Sequence, residues 1–358
     1  MRSMKKTALF IAIACAAGFA QADEKDDLII KVGGGLMAQE KEIKFQTGGR
    51  LQWDYNLAKK NGETDESDIH VRRARIYVKS TVGDWSLKSQ FNIDQASETD
   101  DGAREDSGGT VEDLYITYEG FGKPAKISVG HQRVEFSLED YTSSNDNTFL
   151  ERSAVTEAYS VGRLAGIQVK GDIDGLHYGV GLFEDGEDKT EASEMFLAAR
   201  VAYAADIDGG LVHVGLGSHN QGEDTLTAGL ELAGVFGPLH AQAEYMQRSI
   251  DDADDLAGSY VQVGYVLTGE TRPYKAGKFK RIKPASSKGA YEVVVRATQG
   301  DGNYSDTELG ATEASEIGIG LNYYANNNVR LGMSYSVAEG DATSDEGQEF
   351  RARAQFVF

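Results

Sequence analysis

QEFRARAQFVF, residues 348–358, is the stretch on which the fold turns. Successive side chains of an extended backbone point to opposite sides, so Phe350, Ala352, Ala354, Phe356 and Phe358 share one face and Glu349, Arg351, Arg353 and Gln355 the other. The first face suits lipid and the second water, as in a strand of a transmembrane β-barrel. At the other end, residues 1–22 carry Arg2, Lys5 and Lys6, an apolar run from Ala8 to Phe19, and Ala20-Gln21-Ala22, which fits a small-x-small cleavage site. An export leader together with a C-terminal amphipathic strand ending in Phe predicts a bacterial outer-membrane barrel whose mature form starts at Asp23.

The only cysteine, Cys15, lies in that leader, behind Ala12-Ile13-Ala14, which lacks the leucine that usually opens a lipoprotein box. A lipoprotein anchor is the alternative reading; cleavage after Ala22 leaves no thiol for a disulfide, a metal site or a nucleophile. No later segment approaches the roughly 18 consecutive apolar residues of a spanning helix. A membrane protein of this composition must then be a closed barrel, in which every backbone N–H and C=O pairs between strands. The formal net charge of −21, more negative still without the basic leader, argues against nucleic acid as a partner.

Sixteen stretches alternate like strands, at 44–55, 70–80, 84–94, 111–120, 125–134, 162–171, 175–184, 194–205, 209–219, 225–236, 238–249, 258–269, 289–300, 314–325, 329–339 and 348–358. An even count brings both barrel ends to the periplasmic side. Residues 1–22 thus read as signal peptide, 23–43 as a periplasmic tail or small lumen plug, and 44–358 as barrel. Short connections rich in Gly, Pro, Asn and Asp alternate with longer acidic ones at 63–68, 98–106, 184–194, 251–255, 301–313 and 339–349, the pattern of periplasmic turns and external loops. The DIDG turns at 172–175 and 206–209 read as tight hairpins, since neither has the further carboxylates of a calcium loop. The acidic loops would be solvated or meet lipopolysaccharide through divalent cations.

Assigning faces by the apolar residues aims Arg50, Gln52, Asp54, Arg73, Arg75 and Lys79 inward, with Lys88, Lys126, Lys170, Arg200, Arg248, Arg296, Arg330, Arg351 and Arg353. A basic wall in a narrow passage concentrates anions. The alternative is that these cations pair with inward acids such as Glu231, Glu244, Glu292 and Glu316. Two connections differ from solvated loops. Residues 135–161 contain Phe136, Leu138, Tyr141, Phe149, Leu150 and Val155, too apolar for water, and are expected to fold into the barrel and narrow it. Residues 270–288 carry seven cations, Arg272, Lys275, Lys278, Lys280, Arg281, Lys283 and Lys288, against Glu270 alone. This reads either as a solvated face or as an anion relay at the periplasmic exit.

Together these residues resemble the phosphate-selective porins of the O and P type, from about Ile29 to Phe358. Gly48-Gly49-Arg50-Leu51-Gln52, Arg72-Arg73-Ala74-Arg75, Phe136-Ser137-Leu138-Glu139, Thr142-Ser143-Ser144, Leu150-Glu151-Arg152 and LTGETRPYKAGKFKRIKPASSKGAYE at 267–292 stand in the order and near the spacing of that family. The resemblance implies a homotrimeric sixteen-stranded barrel with an inward loop after the fifth strand, passing phosphate-like anions. Arg50, Arg72, Arg73 and Arg152 match lumen arginines, and Lys275 and Lys283 match lysines facing the anion path. Alternation adds Arg75, Lys79, Lys88 and Arg296 to that path. Phe136, Glu139, Asp140, Ser143, Ser144 and Glu151 mark the constriction loop.

The chain departs from the family at the constriction. Asp140 and Tyr141 precede Thr142-Ser143-Ser144 where the family has a lysine, and Asn145 replaces another. The loop after the ninth strand, 219–224, has no arginine. A carboxylate at the constriction repels phosphate by roughly a few kcal/mol unless neutralised. The expected function is a water-filled porin for passive diffusion of small solutes, foremost inorganic anions such as phosphate or polyphosphate. The alternatives are a general or weakly cation-selective porin and a mainly structural barrel. Six scattered histidines without HExxH, GxSxG or a Walker motif argue against an enzyme. No cofactor or metal is called for. The expected partners are small anions, outer-membrane lipid and lipopolysaccharide, further copies of the chain, and the barrel-assembly machinery through Phe358.

Overall fold

The computed structural model describes residues 29–32, 36–40, 43–93, 96–98, 104–106, 109–184, 195–221, 224–251, 254–301, 313–340 and 345–358. Its wall consists of sixteen antiparallel strands: β1 (Ile43–Lys60), β2 (Glu63–Val82), β3 (Trp85–Asn92), β4 (Thr110–Tyr118), β5 (Lys126–Arg133), β6 (Arg163–Ile173), β7 (Leu176–Glu184), β8 (Met195–Ile207), β9 (Gly210–Gln221), β10 (Thr225–Phe236), β11 (Leu239–Ile250), β12 (Leu256–Val266), β13 (Ala290–Asp301), β14 (Glu313–Tyr324), β15 (Val329–Gly340) and β16 (Asp345–Val357). Each pairs with its neighbours in sequence, and β16 returns to β1 with Arg353 opposite Asp54 and Val357 opposite Arg50. Closure leaves the described wall without a free edge, which is what a sheet needs in lipid. Trp53, Leu114, Ile116, Val129 and Ile167 are exposed on the outside, whereas Gln52, Asp54, Asp113, Ser128 and Gln168 are covered on the inside. Trp85, Tyr118 and Phe121 cluster at one rim, where Phe356 and Phe358 also stack. Such rings form the aromatic girdle of a barrel at the bilayer interface.

The strands run further than alternation predicts. Asn61 and Gly62, with φ of 52° and 83°, make a two-residue turn whose twist lets β1 and β2 continue past the rim. The acidic stretch 63–68 is therefore strand and not loop. Likewise β15 extends through Gly340 and β16 begins at Asp345. The leader at 1–22 and the loop segments 185–194 and 302–312 lie outside the described residues. Within 23–43, strands Ile29–Val32 and Leu36–Glu40 pair with each other, and the second continues onto β1 from Ile43 to Thr47, below the end of β16.

Two register shifts shape the lumen. On β2 the pairing steps from Arg73 opposite Gln52 to Val71 opposite Trp53, leaving Arg72 extra. On β4 it steps from Asp113 opposite Gln90 to Val111 opposite Phe91, leaving Glu112 extra. A bulge re-aims the added residue, so Arg72 and Arg73 both turn inward, as do Glu112 and Asp113.

The segment after β5 enters the lumen with two short helices, α1 (Leu138–Tyr141) and α2 (Ala154–Tyr159), and buries Phe136, Leu138, Phe149, Leu150, Val155 and Tyr159. Glycines on the inner wall make room for it. A Cβ on Gly217 would lie 2.3 Å from the Phe136 carbonyl, and one on Gly332 would lie 2.7 Å from the Leu150 side chain. Segment 267–289, between β12 and β13, also folds inward, from the opposite rim. Its small hairpin, Tyr274–Lys275 with Lys278–Phe279, buries Phe279 completely against Leu138 and Val235, and Ile282 is buried in a separate cluster with Val266, Ala290 and Tyr324. The solvated-face reading of 270–288 is thereby corrected: its apolar residues need cover, which the constriction loop and the wall provide.

Candidate functional site

The constriction loop is fastened by charge to one side of the barrel. Glu151 receives hydrogen bonds from Arg72 (3.2 and 3.1 Å), from Arg73 (3.1 and 3.1 Å) and from Arg353. Burial opposes ionisation of Glu151, but Arg73, Arg353 and Arg72 outweigh it and hold the carboxyl well below its usual range. The Glu244 carboxylate on β11 accepts the backbone N–H groups of Leu138 and Glu139 at 2.9 and 2.8 Å. Arg330 donates to the carbonyls of Asn147 and Thr148 at 2.6 and 2.7 Å, and Arg353 to that of Leu150 at 2.5 Å. A buried loop has many backbone groups to satisfy, and these inward arginines satisfy them. They hold the loop and are not free for solutes.

Against β1 and β3–β6 the loop leaves a gap, a cavity of about 170 Å³. Arg50, Lys88, Arg133, Arg163, Lys170 and Lys278 line it with a single carboxylate, Asp113; Gln90, Tyr115, Gln132, Tyr141, Ser143 and Ser144 complete the wall. Asp113 is shared by Lys88 at 2.6 Å and Arg163 at 2.7 Å. Among the described residues Arg50 donates only to neutral oxygens, Ser144 Oγ at 2.7 Å and Asn145 Oδ1 at 3.1 Å. Lys278 lies 3.8 Å above the Tyr141 ring. Burial, with Lys280 and Lys170 nearby, pushes its ammonium well below the usual lysine range. An anion in the cavity would relieve both effects.

Asp140 does not face this gap as a bare charge. It is buried between Arg133, which donates to its Oδ1, and Arg152, whose Nε lies 3.5 Å away. Burial favours its neutral form, but Arg133 and Arg152 prevail and keep it ionised below the ordinary carboxylate range. The expected repulsion of phosphate is thus cancelled locally.

The other predicted residues divide into groups. Arg50, Lys88, Ser143 and Ser144 line the cavity. Arg72, Arg73 and Glu151 meet in the latch, while Arg75 pairs with Glu112 and Lys79 with Glu119. Glu139 accepts from the backbone and hydroxyl of Ser153, both at 3.0 Å, capping the turn into α2. Arg296 lies 3.7 Å from Glu139, 3.3 Å from Glu316 and over the Phe149 ring. Phe136 packs with Val155, Tyr159 and Met246. Lys275 and Lys283 are exposed and lie outside the cavity. Arg133, Arg163, Gln90 and Asp113 were not singled out from sequence, and Lys278 was named only as one of the seven cations of 270–288. Counting alternation from Val129 and Ile167 would aim Arg133 and Arg163 outward, yet they sit opposite each other where the loop leaves the wall. Their place at the two ends of an apolar loop was the available signal.

A family model described as phosphate-selective porin O and P matches residues 45–227 and 214–358. Porin O of Pseudomonas aeruginosa is 29% identical over an alignment covering 98% of this chain and 97% of that protein. Among solved structures, an anion-selective porin from Comamonas acidovorans superposes with a TM-score of 0.62 at 14% identity, covering 88% of this chain and 100% of that one. The outer membrane channel DcaP of Acinetobacter baumannii gives 0.57 at 13% identity, covering 89% and 99%. At these identities the structural likenesses speak for the fold.

Proposed function

Because the chain belongs to the family of phosphate-selective porins O and P, we propose that its barrel is an outer-membrane channel for small anions, with phosphate-like oxyanions held briefly in the cavity beside Arg50 and Lys278. The observation that carries this is the lining itself: of its six cations Lys88 and Arg163 share Asp113, Arg133 is held by Asp140 and Lys170 by Glu135, while Arg50 and Lys278 stand in no ion pair among the described residues. In a narrow, low-dielectric gap such an excess draws anions in and keeps cations out. Glu112, Asp113, Glu135 and Asp140 are each paired with a cation, which removes the support for a cation-selective pore. Lys275 and Lys283, exposed on the periplasmic segment, extend the basic path towards the exit. The family reading gives the channel a homotrimeric state, and the sequence pattern assigns residues 1–22 to a cleaved leader, contact with lipopolysaccharide to the acidic outer loops, and recognition by the assembly machinery to Phe358.

The test is the zero-current potential of the purified protein in a planar bilayer under a KCl gradient, repeated with phosphate added. Anion selectivity with phosphate block is expected. Cation selectivity, or indifference to phosphate, would refute the proposal.

A further inference from the structure

We infer that Gln90 is a specificity-determining residue of this passage: its side-chain amide reads the oxygens of an oxyanion and so favours phosphate over chloride. The inference rests on the proposed anion channel and adds to it a neutral, directional contact. Gln90 stands on the inner face of β3, opposite Asp113 on β4 and Tyr77 on β2. It is 7% exposed and lines the cavity. Its Nε2, which carries two N–H donors, is buried without a hydrogen-bond partner among the described residues. A buried amide donor left unpaired is costly, and such groups in native proteins call for an explanation. The neighbouring Gln132, by contrast, donates to the Ser128 and Gly166 carbonyls, both at 3.3 Å, and accepts from Ser128 Oγ. Of these two amides lining the cavity, Gln90 is the one that has its donors to spare.

The serines across the gap agree with this. Ser144 Oγ accepts from Arg50, and Ser143 Oγ accepts from the Asn145 backbone at 3.3 Å, which leaves each hydroxyl proton to donate. Amide and hydroxyl donors therefore surround the cavity beside the cations. Cations attract any anion, but fixed neutral donors discriminate: several match the separate oxygens of a tetrahedral oxyanion, while a halide offers one spherical charge. A site built to hydrogen-bond a ligand rejects an analogue that leaves its donors unpaired.

The experiment uses full-length protein in planar bilayers. Inorganic phosphate block of chloride current and saturation of conductance with chloride are both measured for wild type, Gln90→Leu and Gln90→Glu. In Gln90→Leu the half-blocking phosphate concentration, taken relative to the chloride constant, should rise about tenfold, as expected for one hydrogen bond to an anion. Gln90→Glu should lower preference further, since it replaces donors by a charged acceptor and provides a second reading should the leucine variant fail to fold. An unchanged phosphate-to-chloride ratio in either folded variant would overturn the inference. Absence of phosphate block in wild type would instead refute the channel proposal beneath it.

Discussion

Asp140 has opposite meanings in isolation and beside its neighbours. As a lone carboxylate at a constriction it would oppose phosphate entry. Between Arg133 and Arg152 it is a fastening that turns two guanidinium groups into loop anchors. Asp140→Asn would leave Arg133 without its carboxylate, whereas Arg152 would keep Glu157 at 3.2 Å. Breaking a buried pair from one side costs about 3–5 kcal/mol, so the expected result is lower heat stability and noisier current as the loop loosens. Unaltered current noise and heat stability would show that the pair does not hold the loop. Arg72→Ala should do less, because Arg72 is half-exposed and Glu151 keeps Arg73 and Arg353.

At the scale of elements, alternation is a two-way choice, which is why residues 348–358 place Arg353 and Gln355 inward and Phe356 outward from sequence alone. It fails wherever one residue is added: the bulges that turn Arg72 and Glu112 inward leave no mark in a period of two. The constriction loop was legible because its apolar residues could not stay in water. Segment 270–288 was left with two readings because its seven cations drew attention away from Tyr274, Phe279 and Ile282, which decide where it packs. The latch at Glu151 and the Asp140 pair also give the loop a pH dependence. Both carboxyls are held below their ordinary values of 4.5 and 3.8. Their contribution is thus complete above those values and is lost as pH falls through the lower folded ones. Conductance and noise should therefore be steady between pH 7 and 5 and rise only below about pH 4. A transition between pH 7 and 5 would place the control in other groups.

For the whole molecule, the barrel wall and the structures within it draw on different interactions. The wall is held by backbone pairing that closes on itself from β16 to β1, and it needs neither inserted segment for closure. The lumen is held by side chains: the loop lies along β9–β16, and the periplasmic hairpin braces it through Phe279 against Leu138 and through a hydrogen bond from the Phe279 N–H to Thr142 Oγ1 at 3.3 Å. Arg200 adds a further tie, donating to the Gly277 carbonyl at 2.8 Å while bound to Glu231. On the proposed function, selectivity belongs to the junction of two segments that enter from opposite rims, because the cavity takes Ser143 and Ser144 from one and Lys278 from the other. Replacing residues 272–283 by a short Gly-Ser turn separates the two levels. The barrel should still form, seen as retained heat-modifiable migration in a gel. The pore should be wider and less anion-selective, since Lys278 and the brace on α1 are gone while the wall remains. Loss of the barrel itself would mean that the hairpin is part of what folds the wall, and unchanged selectivity would assign the filter to the wall and loop alone.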